Sequence, residues 1–166
     1  AIQGAKRHQL FNQINYNDVL ITSYPLIFRD LERYQTQEFE IGIFDEASFL
    51  RNPDTETASA ARELKLKSRL ALSGTPVENG VRDLWSIFQI LIPGYLGSRQ
   101  SFSERFEKPL QSPGESADST AKRLRSLIRP FFLRRTKTEV LKDLPEKIEQ
   151  VFWCEMSDVQ AEIYRR

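Results

Sequence analysis

FEIGIFDEASFLRNP, residues 39–53, places two adjacent carboxylates, Asp45 and Glu46, at the end of an apolar run. Ionised side chains are costly inside a core, so the run must deliver them to an edge. Ile41, Ile43 and Phe44 lead into the pair as a strand does, and in an open α/β sheet ligands bind beyond the carboxyl ends of the strands. A hard cation such as Mg²⁺ takes oxygen ligands and is usually held by one or two carboxylates plus substrate phosphates. A second acid beside it can orient and deprotonate an attacking water. The labour then divides as Asp45 for Mg²⁺ and Glu46 for water. A lone Asp-Glu pair is also a common polar strand end, so the rest of the chain has to decide.

The flanking segments alternate strand and helix. DVLITSY (18–24) is a short β-rich run, and Pro25 suits the first turn of a helix through LIFRDLERY (26–34). DTETASAAREL (54–64) is rich in Ala and reads as a helix. SRLALSG (68–74) reads as a third strand closed by a Gly-Thr-Pro turn. Strands that are spaced by helices and nearly continuously apolar imply an α/β fold, a parallel sheet with helices on both faces. After residue 80 the signals turn helical. VRDLWSIFQILIPG (81–94) has Leu84, Trp85, Phe88, Leu91 and Ile92 at helical spacing, stopped by Pro93-Gly94. SFSERF (101–106) carries a capping-box pattern from Ser101 to Glu104. SPGESADST (112–120) reads as a polar loop and AKRLRSLIR (121–129) as a helix ending at Pro130. This block reads as a helical insertion on the α/β core. TKTEVLKDL and SDVQAEIYRR each place Glu or Gln three residues after a Thr or Ser, and KIEQVFWCEM (147–156) between them alternates like a strand.

Composition sets outer limits. A chain of 166 residues, 40% hydrophobic, is long enough for one domain with a real core. The 24 Lys+Arg against 23 Asp+Glu give no partner by net charge, but the balance is locally uneven. Between Ser119 and Thr138 stand Lys122, Arg123, Arg125, Arg129, Arg134, Arg135 and Lys137 and no acid. Such a run reads either as a solvated face or as a footprint for a phosphate backbone. Cys154 is the single cysteine, which excludes an intrachain disulfide. No apolar run approaches bilayer length and no signal-peptide pattern opens the chain, so the expectation is a soluble, intracellular protein. The start at Ala1 without Met reads as a cut or processed piece. The sole histidine, His8, lies outside every motif and reads as a surface residue.

Taken in order, TSY, DEAS, SGTP and FFLRRTK resemble the Swi/Snf-type ATPases of helicase superfamily two, the DNA translocases that include chromatin remodellers and their bacterial relatives. DVLITSY resembles their motif Ib, FDEAS motif II (Walker B) and LALSGTPVEN motif III. LWSIFQILIPGYLGS followed by RPFFLRRTKTEVLKDLPEK resembles the helical protrusion and its return to the core. The resemblance implies a partial RecA-like sheet: 1–83 as the second half of motor lobe one, 84–130 as the protrusion, 131–147 as the return with the LRRTK element, and 148–166 as the lead into a second lobe. It implies ATP and Mg²⁺ as cofactors, with Asp45 coordinating the metal through water and Glu46 as the catalytic base. Ser73, Gly74, Thr75 and Ser48 would couple the nucleotide site to the DNA site. Thr22, Ser23, Arg129, Arg134, Arg135 and Lys137 would lie at double-stranded DNA. Ser48 stands where relatives often have His or Gln, and Glu78 where many eukaryotic relatives have Gln.

None of the seven glycines is followed by lysine, so the Gly-x-x-x-x-Gly-Lys-Ser/Thr phosphate loop is absent from these residues. The implied function is therefore part of the motor of a DNA-dependent, ATP-hydrolysing translocase or remodeller, inactive as an isolated piece. Its further partner would be a DNA-bound protein or polymerase that is remodelled, without a membrane. The location would be cytoplasmic and nucleoid-associated in a bacterium, or nuclear in a eukaryote. The competing readings are a strand-separating helicase, a non-catalytic DNA- or protein-binding module of the same fold, and a metal nuclease, which needs further acids or His nearby.

Overall fold

The computed structural model describes residues 4, 7–74, 80–112, 114–140 and 148–165. Its elements fall into two compact units, Ala1–Ile128 and Arg129–Arg166. The first opens with α1 (Arg7–Phe11), α2 (Tyr24–Arg29) and α3 (Leu31–Gln35). β1 (Phe39–Phe44) and β2 (Leu66–Ala71) then pair in parallel, with Phe39 opposite Leu66 and Phe44 opposite Ala71. Parallel neighbours need a crossover, and here it is a 3₁₀ turn, Ala47–Leu50, followed by α4 (Glu56–Glu63). Asn52 Oδ1 accepts from Asp54 N at 3.1 Å, and Thr55 Oγ1 accepts from Ala58 N at 3.2 Å, capping α4. Ala58, Ala60 and Ala61 are buried on that helix, where small side chains permit close approach.

A first core gathers Phe11, Ile27, Tyr34, Phe44, Leu50, Leu64 and Ile90. Phe44 and Ala71 face it together with α5 (Val81–Leu91). On the other face of the sheet Ile41, Ile43 and Leu70 are 56%, 62% and 53% exposed. The α/β class with a parallel sheet holds. Among the described residues, however, helices cover the sheet on one face.

The expected strand at 18–24 does not form. Residues 18–23 run without regular structure, and Val19 and Ile21 are exposed. A strand exists only with a ladder partner, and the described sheet pairs β1 with β2 alone. The same reason overturns the strand expected at 147–156, whose described part, 148–156, carries no regular structure, with Phe152 and Trp153 exposed.

α5 is shared between two cores. Ile90 joins the first, while Leu84 and Phe88 join a second with Leu96, Phe102, Phe106 and Leu124. Trp85 Nε1 and Gln89 Nε2 both donate to Gly97 O, at 3.1 and 3.0 Å, and fix the turn after Pro93. Gly97 has φ +83°, a conformation costly for a residue with Cβ. That turn also moves the next helix start. Ser98, not Ser101, caps α6 (Arg99–Phe102), its hydroxyl accepting from Ser101 N at 3.2 Å. The expected Ser101–Glu104 box is thus replaced, and a π-helical stretch, Ser103–Glu107, leads into α7 (Lys108–Gln111). α8 runs Glu115–Ile128, so most of the expected 112–120 loop is helical. Acids Glu115 and Asp118 in its first turn suit the helix dipole there. Arg105 and Arg123 lie 5.2 and 5.9 Å from the Phe106 ring centroid.

Among the described residues the second unit holds a 3₁₀ turn, Arg129–Phe131, and the helices α9 (Lys137–Val140) and α10 (Asp158–Tyr164). The Ser157–Gln160 capping box forms in both directions, and Glu139 Oε2 accepts from Thr136 N at 2.7 Å. No helix among the described residues is long and apolar enough to cross a membrane.

LIFRDLERY is not one helix. It breaks between α2 and α3 at Asp30, with φ −114° and ψ 22°. The Asp30 side chain is 4% exposed and accepts from Arg7 Nε at 2.6 Å and Arg7 Nη2 at 3.1 Å. His8 is half exposed and meets it through Nε2 at 3.0 Å. The Arg7 hydrogen bonds hold the Asp30 carboxyl below its ordinary value of 3.8, with His8 adding to the effect. A carboxylate whose folded pKa is depressed stabilises the fold above its unfolded pKa, and that contribution is lost as pH falls through the folded value. Thermal unfolding should therefore show an acid limb beginning near the ordinary carboxylate range, and Asp30→Asn should flatten it while lowering the neutral plateau. An acid limb unchanged in Asp30→Asn would mean that other carboxylates set it.

Candidate functional site

The acidic pair sits in a bulge. Leu72 N donates to Phe44 O at 2.9 Å, and Leu72 O accepts from Ala47 N at 2.9 Å. In a regular parallel ladder the two partners of one residue are separated by a single residue. Here two intervene, Asp45 and Glu46, so one extra residue is inserted and the side chains are re-aimed. Glu46 takes the left-handed conformation, φ 47° and ψ 52°, and is the only non-glycine residue with positive φ among those described. Such a conformation costs on the order of 1–3 kcal/mol and persists where surrounding bonds over-determine it.

Those bonds are visible. Tyr24 Oη donates to Asp45 O at 2.5 Å, and Glu46 N donates to Asp45 Oδ1 at 3.0 Å. Downstream, Ala47 and Leu50 are each 1% exposed, and the wholly buried Ser86 on α5 donates through Oγ to Leu50 O at 2.8 Å. Asp45 and Glu46 themselves are exposed. The carboxylates therefore stand in solvent on a turn anchored to the core. Burial, aided by the charges of Asp45 and Glu46, pushes the Tyr24 phenol up to about 12.

The other expected residues distribute around this turn. Ser73 and Gly74 follow Leu72, whose backbone clamps the bulge, and Ser73 is half-buried. Thr75, like Glu78, lies outside the described residues. Ser48 Oγ stands 3.5 Å from Glu46 O, within its own turn. Backbone bonds join the two strand ends, from Leu72 N to Phe44 O and from Ala47 N to Leu72 O. Thr22 Oγ1 accepts from the hydroxyl of the buried Tyr34 at 2.7 Å, and the exposed Ser23 precedes α2. Arg129, Arg134 and Arg135 are exposed in the second unit, where Lys137 opens α9. Sequence reasoning missed Tyr24 and Ser86. The only signal for Tyr24 was its place directly after Thr22-Ser23; Ser86 carried none.

Two adjacent exposed carboxylates, one oxygen of Asp45 already engaged, fit a hard cation whose remaining ligands are water and substrate oxygens. Among the described residues no group of three or more His, Cys, Asp or Glu stands close enough to hold a metal without help. That donor set suits a site completed by a phosphate substrate.

A parallel βαβ unit presenting an Asp-Glu pair beyond its strand ends, followed by a helical block, fits a partial RecA-like α/β fold. The chain belongs to the SNF2-related domain family, whose model matches residues 1–166. It is 37% identical over 161 residues to the TATA-binding protein-associated factor MOT1 of Saccharomyces cerevisiae, covering 92% of this chain and 9% of that protein. It is 34% identical over 163 residues to an uncharacterized ATP-dependent helicase of Mycoplasma pneumoniae, covering 98% of this chain and 15% of that one. Among solved structures, the Sulfolobus solfataricus SWI2/SNF2 ATPase core in complex with dsDNA matches with TM-score 0.70 and 39% identity, covering 93% of this chain and 33% of that one. The chain thus spans a small part of these curated relatives and a third of the solved core.

Proposed function

We propose that this chain is part of the ATPase motor of a DNA-dependent double-stranded-DNA translocase or remodeller. The observation that carries the reading is the bulge that holds Asp45 and Glu46 outward at a parallel strand end, in a chain of the SNF2-related family. MgATP, when bound, supplies the phosphoryl group and the divalent charge that offsets its oxygens. Asp45 would hold the metal through water. Glu46, fixed beside it, accepts the proton of the attacking water. Ser73, Gly74, Thr75 and Ser48 couple this site to DNA. Thr22, Ser23, Arg129, Arg134, Arg135 and Lys137 hold the duplex backbone without reading bases, as movement along a duplex requires.

The partition into a lobe through residue 83, a protrusion from 84 to 130, a return from 131 to 147 and a lead from 148 to 166 is supported by the separate core that α5 through α8 build. By analogy with the TATA-binding protein-associated relatives, the object moved is a DNA-bound protein. The protein then works in a nucleus or, in a bacterium, at the nucleoid.

The test is ATP turnover by the full-length protein that carries this segment, with and without duplexes of two unrelated sequences. Equal stimulation by both, with no strand separation on a tailed duplex, is expected. Stimulation by single strands with unwinding would instead make it a helicase. DNA binding without turnover would make it a non-catalytic module.

A further inference from the structure

The peptide unit joining Asp45 to Glu46 is held at both ends. Its carbonyl accepts from Tyr24 Oη at 2.5 Å, and its N–H donates to Asp45 Oδ1 at 3.0 Å. Rotation of this one peptide unit sets both ψ of Asp45 and φ of Glu46, so whatever fixes it also fixes the direction of the Glu46 side chain. Because Glu46 sits at φ 47°, a peptide flip would carry it toward the more populated negative-φ regions and turn its carboxylate elsewhere. The Asp45 bond is local and moves with the turn. Tyr24 is the anchor from outside the turn: it lies 21 residues away on α2, and its ring centroid is 6.1 Å from that of Phe49. Two residues before it, Thr22 is tied to the buried Tyr34. The segment Thr22–Tyr24 is thus fastened to the core at one end and to the acidic bulge at the other.

We propose that Tyr24 is a positioning residue: its hydroxyl holds the Asp45–Glu46 peptide so that Glu46 points at the attacking water, and it transmits movement of the Thr22-Ser23 segment to that acid. The inference rests on the ATPase reading above and deepens it. A phenol is suited to the task because its rigid ring spans the gap between α2 and the turn with few rotatable bonds.

The experiment uses the full-length protein in four forms: wild type, Tyr24→Phe, Glu46→Gln and the double variant. Turnover number and KM for ATP are measured at saturating duplex DNA, with thermal unfolding alongside. Tyr24→Phe keeps the ring and removes only the bond, so kcat should fall roughly tenfold with KM for ATP within about twofold, as misplacing a reacting group does. In the Glu46→Gln background the same change should cost less than about twofold, because the acid it aims is gone. Wild-type kcat in Tyr24→Phe overturns the positioning role. So does an equal loss in both backgrounds, which marks a hydroxyl that acts on the fold or on another step, the more so if the melting temperature drops with it. An enzyme without ATP turnover overturns the ATPase reading and this role together, whereas one that turns over ATP but is indifferent to Glu46→Gln removes Glu46 as the base and this role with it. A silent Tyr24→Phe in an enzyme that Glu46→Gln cripples overturns this role alone.

Discussion

Glu46→Gln in the full-length protein should lower DNA-stimulated ATP turnover by about 10²–10⁴-fold, the usual cost of losing a general base, while ATP binding stays near the wild-type level. The substitution is nearly isosteric, so the bonds that shape the bulge remain. Leu72 still brackets it through Phe44 and Ala47, and Tyr24 still donates to Asp45 O. Asp45 keeps its charge for the metal. What disappears is only the proton acceptor at the end of the Glu46 side chain. Single-turnover hydrolysis with parallel calorimetric titration of ATP checks both halves of the statement. A variant that hydrolyses at the wild-type rate would show that another group takes the proton. One that no longer binds ATP would place Glu46 in nucleotide binding.

The acidic pair was legible because its chemistry is local. Ile41, Ile43 and Phe44 announce a strand, and two ionised residues at its end must face water. The α4 and α5 helices were legible for a similar reason, since Ala content in one and apolar spacing in the other act within a few turns. Strand readings at 18–24 and 147–156 failed because β-rich composition describes a surface that can pair, not the pairing itself. The misplaced cap near residue 100 was a contest between two serines three apart. Glu104 favoured Ser101 by pattern, whereas the Gly97 turn, fixed from Trp85 and Gln89, gave the helix start to Ser98. At the site, the sequence placed two acids at a strand end but not the bonds that hold them. Tyr24 to Asp45 and Ser86 to Leu50 span 21 and 36 residues, and no spacing rule reaches that far.

Arg69 is the other residue that the sequence concealed, and its loss should produce the largest change in stability. It stands on β2 in LKSRLA, and its guanidinium reaches inward. Nη1 donates to Ile90 O at 2.6 Å, and Nη2 donates to Leu64 O at 2.8 Å and Arg62 O at 3.3 Å. These carbonyls lie at the last turns of α5 and α4, where helix geometry leaves acceptors without intrahelical donors and where the dipole favours a cation. One planar fork thus closes two helix ends against the strand that runs to the bulge. Burial lowers the Arg69 pKa, but an arginine side chain stays protonated, so the charge persists and the carbonyls compensate it. Arg69→Met would keep most of the apolar stem and leave the carbonyls without donors. Bonds to a buried charge are worth roughly 1.5–3 kcal/mol each, but Arg69 is only partly buried and water can take over some of them, so the discounted loss is about 2–3 kcal/mol. With a typical urea dependence, that moves the unfolding midpoint down by about 1 M. Lys67→Met, two residues earlier, removes the exposed bond to Glu40 and should leave the midpoint where it was. Equal midpoints for Arg69→Met and Lys67→Met would show that water serves those helix ends as well as the guanidinium does, and that α4 and α5 are held to the strand by apolar packing alone.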